Sequence, residues 1–121
     1  MTDYTATVDR YLAVWNEPDA DARTAAIAEI WAVDGHYTDP LSAVTGRADF
    51  GAMVAKVREM FPGHTFRRYG EVDGHHDTAR FGWEMLSGTG DSTVVGFDVM
   101  ALAPDGRIRA IYGFLDKVPA H

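Results

Sequence analysis

The chain has no cysteine. That excludes a disulfide framework and a thiolate nucleophile, and it fits a cytoplasmic setting. Basic residues are scarce: 11 Lys and Arg stand against 18 Asp and Glu, a formal charge of −7. The one basic pair, Arg67-Arg68, is followed closely by Glu71 and Asp73. Nucleic acid is therefore not an expected partner, because that binding leans on clustered cations. Apolar runs stay far short of the roughly 20 residues a membrane span needs, so no membrane association is expected. Met1-Thr2-Asp3 opens polar and acidic, unlike the basic-then-apolar start of a secretory leader. There is no internal period, glycine-rich phosphate loop, serine elbow or spaced metal-ligand set, so neither a cofactor nor a metal is expected.

What is present suits one globular domain spanning residues 1–121, with 46% apolar residues. Tyr4, Val8, Tyr11, Leu12 and Trp15 recur at helical spacing, predicting a helix over 3–16 with Thr2 or Asp3 as cap. After the break at Asn16-Glu17-Pro18-Asp19, a second helix is expected. Asp19 or Asp21 would cap it, Ala26, Ile27, Ile30 and Trp31 would form its apolar face, and Asp34-Gly35 would turn the chain at its end. A short strand from His36 to Asp39 and a loop through Thr45-Gly46 lead to a third helix. Asp49 would cap that helix, Phe50, Met53, Val54, Val57 and Met60 share a face, and Phe61-Pro62-Gly63 stops it.

Beyond Gly63 the period changes to two. Residues 65–72, 78–87, 92–103 and 107–116 read as strands joined by Asp73-Gly74, Gly88-Thr89-Gly90-Asp91 and Pro104-Asp105-Gly106. Connections this short make consecutive strands antiparallel neighbours. Helices first and a meander second define an α+β fold in which helices cover one face of a curved sheet, a natural cup for a small molecule.

Three residues stand out chemically. Asp98 lies mid-strand in Val94-Val95-Gly96-Phe97-Asp98-Val99-Met100-Ala101-Leu102, apolar on both faces. A carboxyl buried there would be costly when ionised and could stay protonated, donating a hydrogen bond to a developing oxyanion. The alternative is a bulge at Gly96 that turns Asp98 to solvent, or a structural bond to backbone. Asp39 shares a strand face with Tyr37 and is held extended by Pro40, where it could move a proton; it could equally be an ordinary Asp-Pro turn residue. Tyr11 lies on the apolar stripe of the first helix and reads as core unless it faces the two acids. His36 is a candidate second acid/base group at a pocket rim, whereas His64 and His75-His76 read as loop and hairpin-turn residues.

These residues resemble the nuclear-transport-factor-2-like superfamily, in particular its ketosteroid isomerase and SnoaL-like polyketide cyclase branches. Arg10-Tyr11-Leu12-Ala13-Val14-Trp15-Asn16 is similar to the isomerase segment bearing an oxyanion-binding tyrosine. Trp31 through Asp39-Pro40 is similar to the segment ending in the general base, and Thr93-Val94-Val95-Gly96-Phe97-Asp98 to the strand holding a protonated acid. Asp98 falls one residue out of register with that acid, which a bulge near Gly96 would restore. The connection from Glu17 to Thr24 is also about one helical turn longer than in the isomerases.

The resemblance implies a cone-shaped α+β barrel: three N-terminal helices on a strongly curved, mixed or antiparallel sheet around an apolar pocket, in a homodimer. It implies Asp39, Tyr11 and Asp98 as catalytic, and a small hydrophobic molecule as partner. Trp15, Trp83, Met100, Phe114, His36 and Met53 are the candidates for lining the pocket. The function so implied is proton transfer α to a carbonyl, of isomerase or cyclase type. Two alternatives stay open: a non-catalytic binding or dimerisation module, and epoxide-hydrolase-like hydrolysis with Arg80 or Arg109 between two acids.

Overall fold

The computed structural model describes residues 2–119. Three helices and six strands follow in the order α1 (Tyr4–Asn16), α2 (Ala20–Ile30), β1 (Trp31–Thr38), β2 (Ala43–Thr45), α3 (Arg47–Met60), β3 (Thr65–His75), β4 (Thr78–Leu86), β5 (Ser92–Leu102) and β6 (Ile108–Lys117). The sheet order is β2-β1-β6-β5-β4-β3. The β3 to β6 meander is antiparallel, as the short turns require, and β1 adds to β6 in parallel. The sheet is therefore mixed, and it stays open between the edge strands β2 and β3 instead of closing into a barrel. The α+β class and the helices-first order are as the sequence pattern indicates.

Asp3 and Asp19 cap α1 and α2, their carboxylates accepting from Ala6 N and Ala22 N at 3.0 and 2.8 Å. The long first connection expected from the sequence shrinks to residues 17–19, because the chain before Thr24 forms the first turn of α2. Its end is fixed by Arg23, whose guanidinium donates to Glu17 O at 2.7 Å. The third helix starts earlier than Asp49. Gly46 occupies its cap position at φ 92°, and Asp49 lies in the first turn, where a negative charge suits the helix dipole. The expected loop through Thr45 contains the short edge strand β2, paired His36↔Thr45 and Thr38↔Ala43.

The stretch from Trp31 to Gly35 departs most from expectation. Trp31 is not the last residue of α2 but the first of β1, and Asp34-Gly35 is not a helix-ending turn. Trp31 pairs with Ile108 and His36 with Ala110, so the intervening residues bulge out of the β1–β6 ladder. The reason is the indole itself. Trp31 is fully buried and stacks on Phe50 with centroids 4.0 Å apart, and the backbone of Gly35 passes directly over its ring. A Cβ at residue 35 would lie 2.4 Å from Trp31 Nε1, so only glycine fits.

Tyr11 completes this aromatic core. It packs parallel to Trp31 and Phe50, each 6.3 Å away, and edge-on to Phe81 at 6.0 Å. Gly35→Ala is therefore expected to destabilise the fold by roughly 1–3 kcal/mol through overpacking. Urea denaturation checks this, and an unchanged midpoint would contradict the packing account.

Candidate active site

The inner face of the sheet and the stripes of α1 and α3 that face it leave a cavity of about 400 Å³. Its wall is mostly apolar, built from Leu12 and Trp15 of α1, Met53 and Val57 of α3, and Phe66, Trp83, Met85, Val94 and Leu115 of the sheet. Four groups with chemistry open into it: Tyr11, Tyr37, Asp39 and Asp98.

Asp98 is 3% exposed. Its inward direction follows from the simple period of β5, in which Val94, Gly96, Asp98, Met100 and Leu102 are buried together. No bulge at Gly96 in β5 is involved. The β4–β5 ladder runs unbroken from Thr78↔Ala101 to Met85↔Val94, and its irregularity comes only beyond Val94. Near Gly96 the β5–β6 irregularity lies in β6, where Asp116 is the extra residue between Leu115 and Lys117. This corrects the expectation of a bulge that turns Asp98 to solvent: the simple period of β5 faces it inward.

The Trp83 indole N–H donates to Asp98 Oδ1 at 3.1 Å, and no cation pairs with the carboxyl among the described residues. Burial pushes its pKa from 3.8 up to about 7; the Trp83 bond opposes the shift, and the charge of Asp39 adds to it.

Asp39 ends β1 and does two things at once. Its Oδ1 accepts from Leu41 N and Ser42 N, each at 2.8 Å, and its own N–H donates to Ser42 O at 2.9 Å, closing the turn to β2. So the plain reading as an Asp-Pro turn residue is correct as far as Oδ1 goes. Its Oδ2 lies on the cavity side and accepts from the Tyr37 hydroxyl at 2.5 Å.

The two acids meet over Gly113 of β6, which pairs with Asp98, while its neighbour Tyr112 pairs with Thr38. A Cβ on Gly113 would lie 2.9 Å from Asp98 Oδ1 and 3.3 Å from Asp39 Cβ. The missing side chain is what allows the carboxyls to approach. Tyr11, 1% exposed, reaches the same space from α1. Burial foremost, and then the charge of Asp98, holds its hydroxyl well above the ordinary phenol range. Burial likewise raises Tyr37, reinforced by Tyr11 and by its bond to Asp39. Both phenols are thus donors at any physiological pH.

Of the residues expected to line the pocket, Trp15, Trp83 and Met53 do so. Three do not. Met100 is fully buried beneath the cavity as core. His36 lies on the outer sheet face, its ring bonded to Thr45 Oγ1 at 2.9 Å. Phe114 also points outward, 57% exposed, because Ile111, Gly113 and Leu115 take the inner face of β6. The arginines weighed for a hydrolase site face elsewhere: Arg80 pairs with Asp73 at 3.2 Å and Arg109 with Asp77 at 3.3 Å, all on the surface.

Two contributors were not singled out from the sequence. Tyr37 had a signal, since it shares a strand face with Asp39. Lys56 had one too, standing in the Met53, Val57, Met60 stripe of α3.

A curved mixed sheet covered by three helices, with acids inside an apolar cup, defines the nuclear-transport-factor-2-like class. The comparisons agree. A SnoaL-like domain model matches residues 8–111, and the chain belongs to that family. A structure from Agrobacterium tumefaciens str. C58, described as a candidate isomerase of the SnoaL-like family, is 38% identical. It superposes with a TM-score of 0.93 over 97% of this chain and 100% of that one.

More distant structures share the fold alone. A SnoaL-like protein of unknown function from Burkholderia thailandensis E264 is 16% identical, with a TM-score of 0.76 over 97% and 99% of the two chains. A SnoaL-like protein from Jannaschia sp. CCS1, described as a candidate polyketide cyclase, is 19% identical, with a TM-score of 0.72 over 96% and 92%. No curated protein matches the sequence.

The burial of Asp98 has a consequence for stability. Between pH 4 and 7 (approximate bounds) the folded chain retains a proton that the unfolded chain releases, so stability falls as pH rises through this window. A shift from 3.8 to about 7 corresponds to a loss on the order of 4 kcal/mol. Asp98→Asn should flatten this slope, and denaturation at about pH 4 and about pH 8, either side of the window, compares the two proteins. Equal slopes would show that Asp98 ionises normally.

Proposed function

We propose that the chain is an enzyme that transfers a proton α to the carbonyl of a small apolar compound, with an isomerase or cyclase outcome. One observation carries this reading: Tyr11, Asp39 and Asp98 open into one apolar cavity. Asp39 Oδ2 is the base, aimed by Tyr37 on one side and by the turn amides on the other. The Tyr11 hydroxyl lines the cavity, and Asp98 is pushed toward its neutral form. Together they supply donors for the enolate oxygen. Proton transfer needs no group beyond these side chains. Donors placed in a water-poor cup are worth more than the same donors in water.

The Agrobacterium structure described as an isomerase candidate supports the reading through 38% identity over nearly the full length. A role as a bare dimerisation module is less well supported, because such a module has no use for an uncompensated buried acid.

The reading includes a homodimer formed through the outer sheet face. Tyr69, Tyr112 and Phe114 are 54%, 42% and 57% exposed there, beside the half-buried Val95, Phe97 and Val99. Their combined apolar surface is unusual for a free sheet face. Phe114→Glu is then expected to halve the mass measured by light scattering while leaving circular dichroism unchanged. A wild-type chain that is already monomeric would remove the dimer.

The activity is tested by hydrogen–deuterium exchange at the α-carbon of β,γ-unsaturated cyclic ketones in D₂O. Asp39→Asn should slow exchange by about 10²–10⁴-fold without unfolding the chain. Tyr11→Phe should do so by a smaller factor. Undiminished exchange in Asp39→Asn would exclude Asp39 as the base.

A further inference from the structure

The cavity has an inner end and a mouth with different chemistry. Along α3 the cavity-facing residues grade outward from Met53, 9% exposed, to Met60, 58% exposed. Leu41 and Val118, 79% and 55% exposed, stand on the opposite rim. Asp98 lies at the deep end, 3% exposed, while Asp39 is half-buried beside the rim residue Leu41. Within the apolar rim is one cation, Lys56. It is exposed, it lines the cavity, and it makes no ion pair among the described residues.

With a charge of −7, the surface as a whole repels anions. Five of the eleven Lys and Arg residues are paired to Asp or Glu within 4.0 Å among the described residues; Lys56 is among the others, and it is the one cation of the cavity lining. The other two charged residues of the lining, Asp39 and Asp98, are carboxyls.

An apolar ligand with its carbonyl at the acids would leave its other end beside an ammonium. We infer that the site takes amphiphilic carbonyl compounds carrying an anionic group, such as a carboxylate or sulfonate, at the end remote from the reacting carbon, with Lys56 as its recognition residue. This rests on the proposed use of the same cavity. Lys56 contributes to binding and orientation and takes no part in proton transfer. The long apolar stem lies along the rim while the charged head reaches water.

Two probes of similar shape separate charge from cavity: anionic anilinonaphthalene sulfonate and uncharged phenylnaphthylamine, each titrated by fluorescence against the full chain. Lys56→Met retains the stem and removes the charge. It should weaken the sulfonate by roughly three- to fivefold, the range of a partly exposed ion pair, and leave the neutral probe within about twofold. Lys56→Glu should weaken the sulfonate further, by about tenfold, with the neutral probe again unchanged. Raised salt should reduce the wild-type preference for the sulfonate. Equal sulfonate affinity in wild type and both variants, with the neutral probe still bound, overturns the role of Lys56 while leaving the cavity reading intact. Failure of the wild-type chain to bind either probe overturns the cavity reading and this inference with it.

Discussion

A carboxyl buried without a cation is the constraint on which the site depends. The chain shows how it treats a buried acid when only structure is at stake. Glu84, 8% exposed, accepts from Arg67 at 2.6 Å, and that bond draws its pKa below the ordinary value. Asp98, three residues along β5 from the partner of Glu84 and on the opposite sheet face, receives one indole N–H and faces a second acid. The two outcomes are opposite: Glu84 is stabilised as an anion, and Asp98 is pushed toward its neutral form. A neutral acid can donate a hydrogen bond, which an anion cannot. The stability lost as pH rises from about 4 to about 7 is what holding this group in reserve costs.

The rest of the architecture serves to keep the two acids together. Parallel pairing of β1 with β6 brings the end of β1 beside Gly113, and antiparallel pairing of β6 with β5 brings Asp98 to its other side. For β1 to reach that position it must pass over Trp31, which the bulge at Gly35 allows. The arrangement leaves Trp31 Nε1 buried with no partner, a penalty of about 1–3 kcal/mol. Stacking of Trp31, Phe50 and Tyr11 offsets it and fixes the Tyr11 ring, whose hydroxyl then has one direction to point. Core and site are thus the same aromatic assembly seen from two ends.

Much of this was legible in the sequence. Helical stripes and period-two runs gave three helices and four strands of the meander, because each is a local pattern. That Asp98 sits in an apolar strand could also be read, but not which way it faces, because β5 is apolar on both faces. What was not legible depends on partners distant in sequence. Trp31 continues the stripe of α2, and Asp34-Gly35 carries ordinary turn chemistry. Only pairing with β6 makes this stretch a strand. Phe114 was misplaced because β6 is apolar on both faces, so period alone cannot decide which face is inside. Met100 faces inward as expected, but below the level at which the cavity opens. Lys56 was not singled out, because only the cavity gives it a neighbourhood. The approach of Asp39 to Asp98 had no local signature at all, because Gly113 lies on a third strand.

The central claim is that Asp98 is a desolvated acid that stays protonated to near-neutral pH beside a second carboxyl. Carbon-13 NMR of aspartate-labelled protein, with the Asp98 carboxyl assigned by its absence in Asp98→Asn, measures this directly. The account predicts a transition at about pH 7. A transition in the ordinary aspartate range, near pH 4, would contradict it and would return Asp98 to the status of a structural residue.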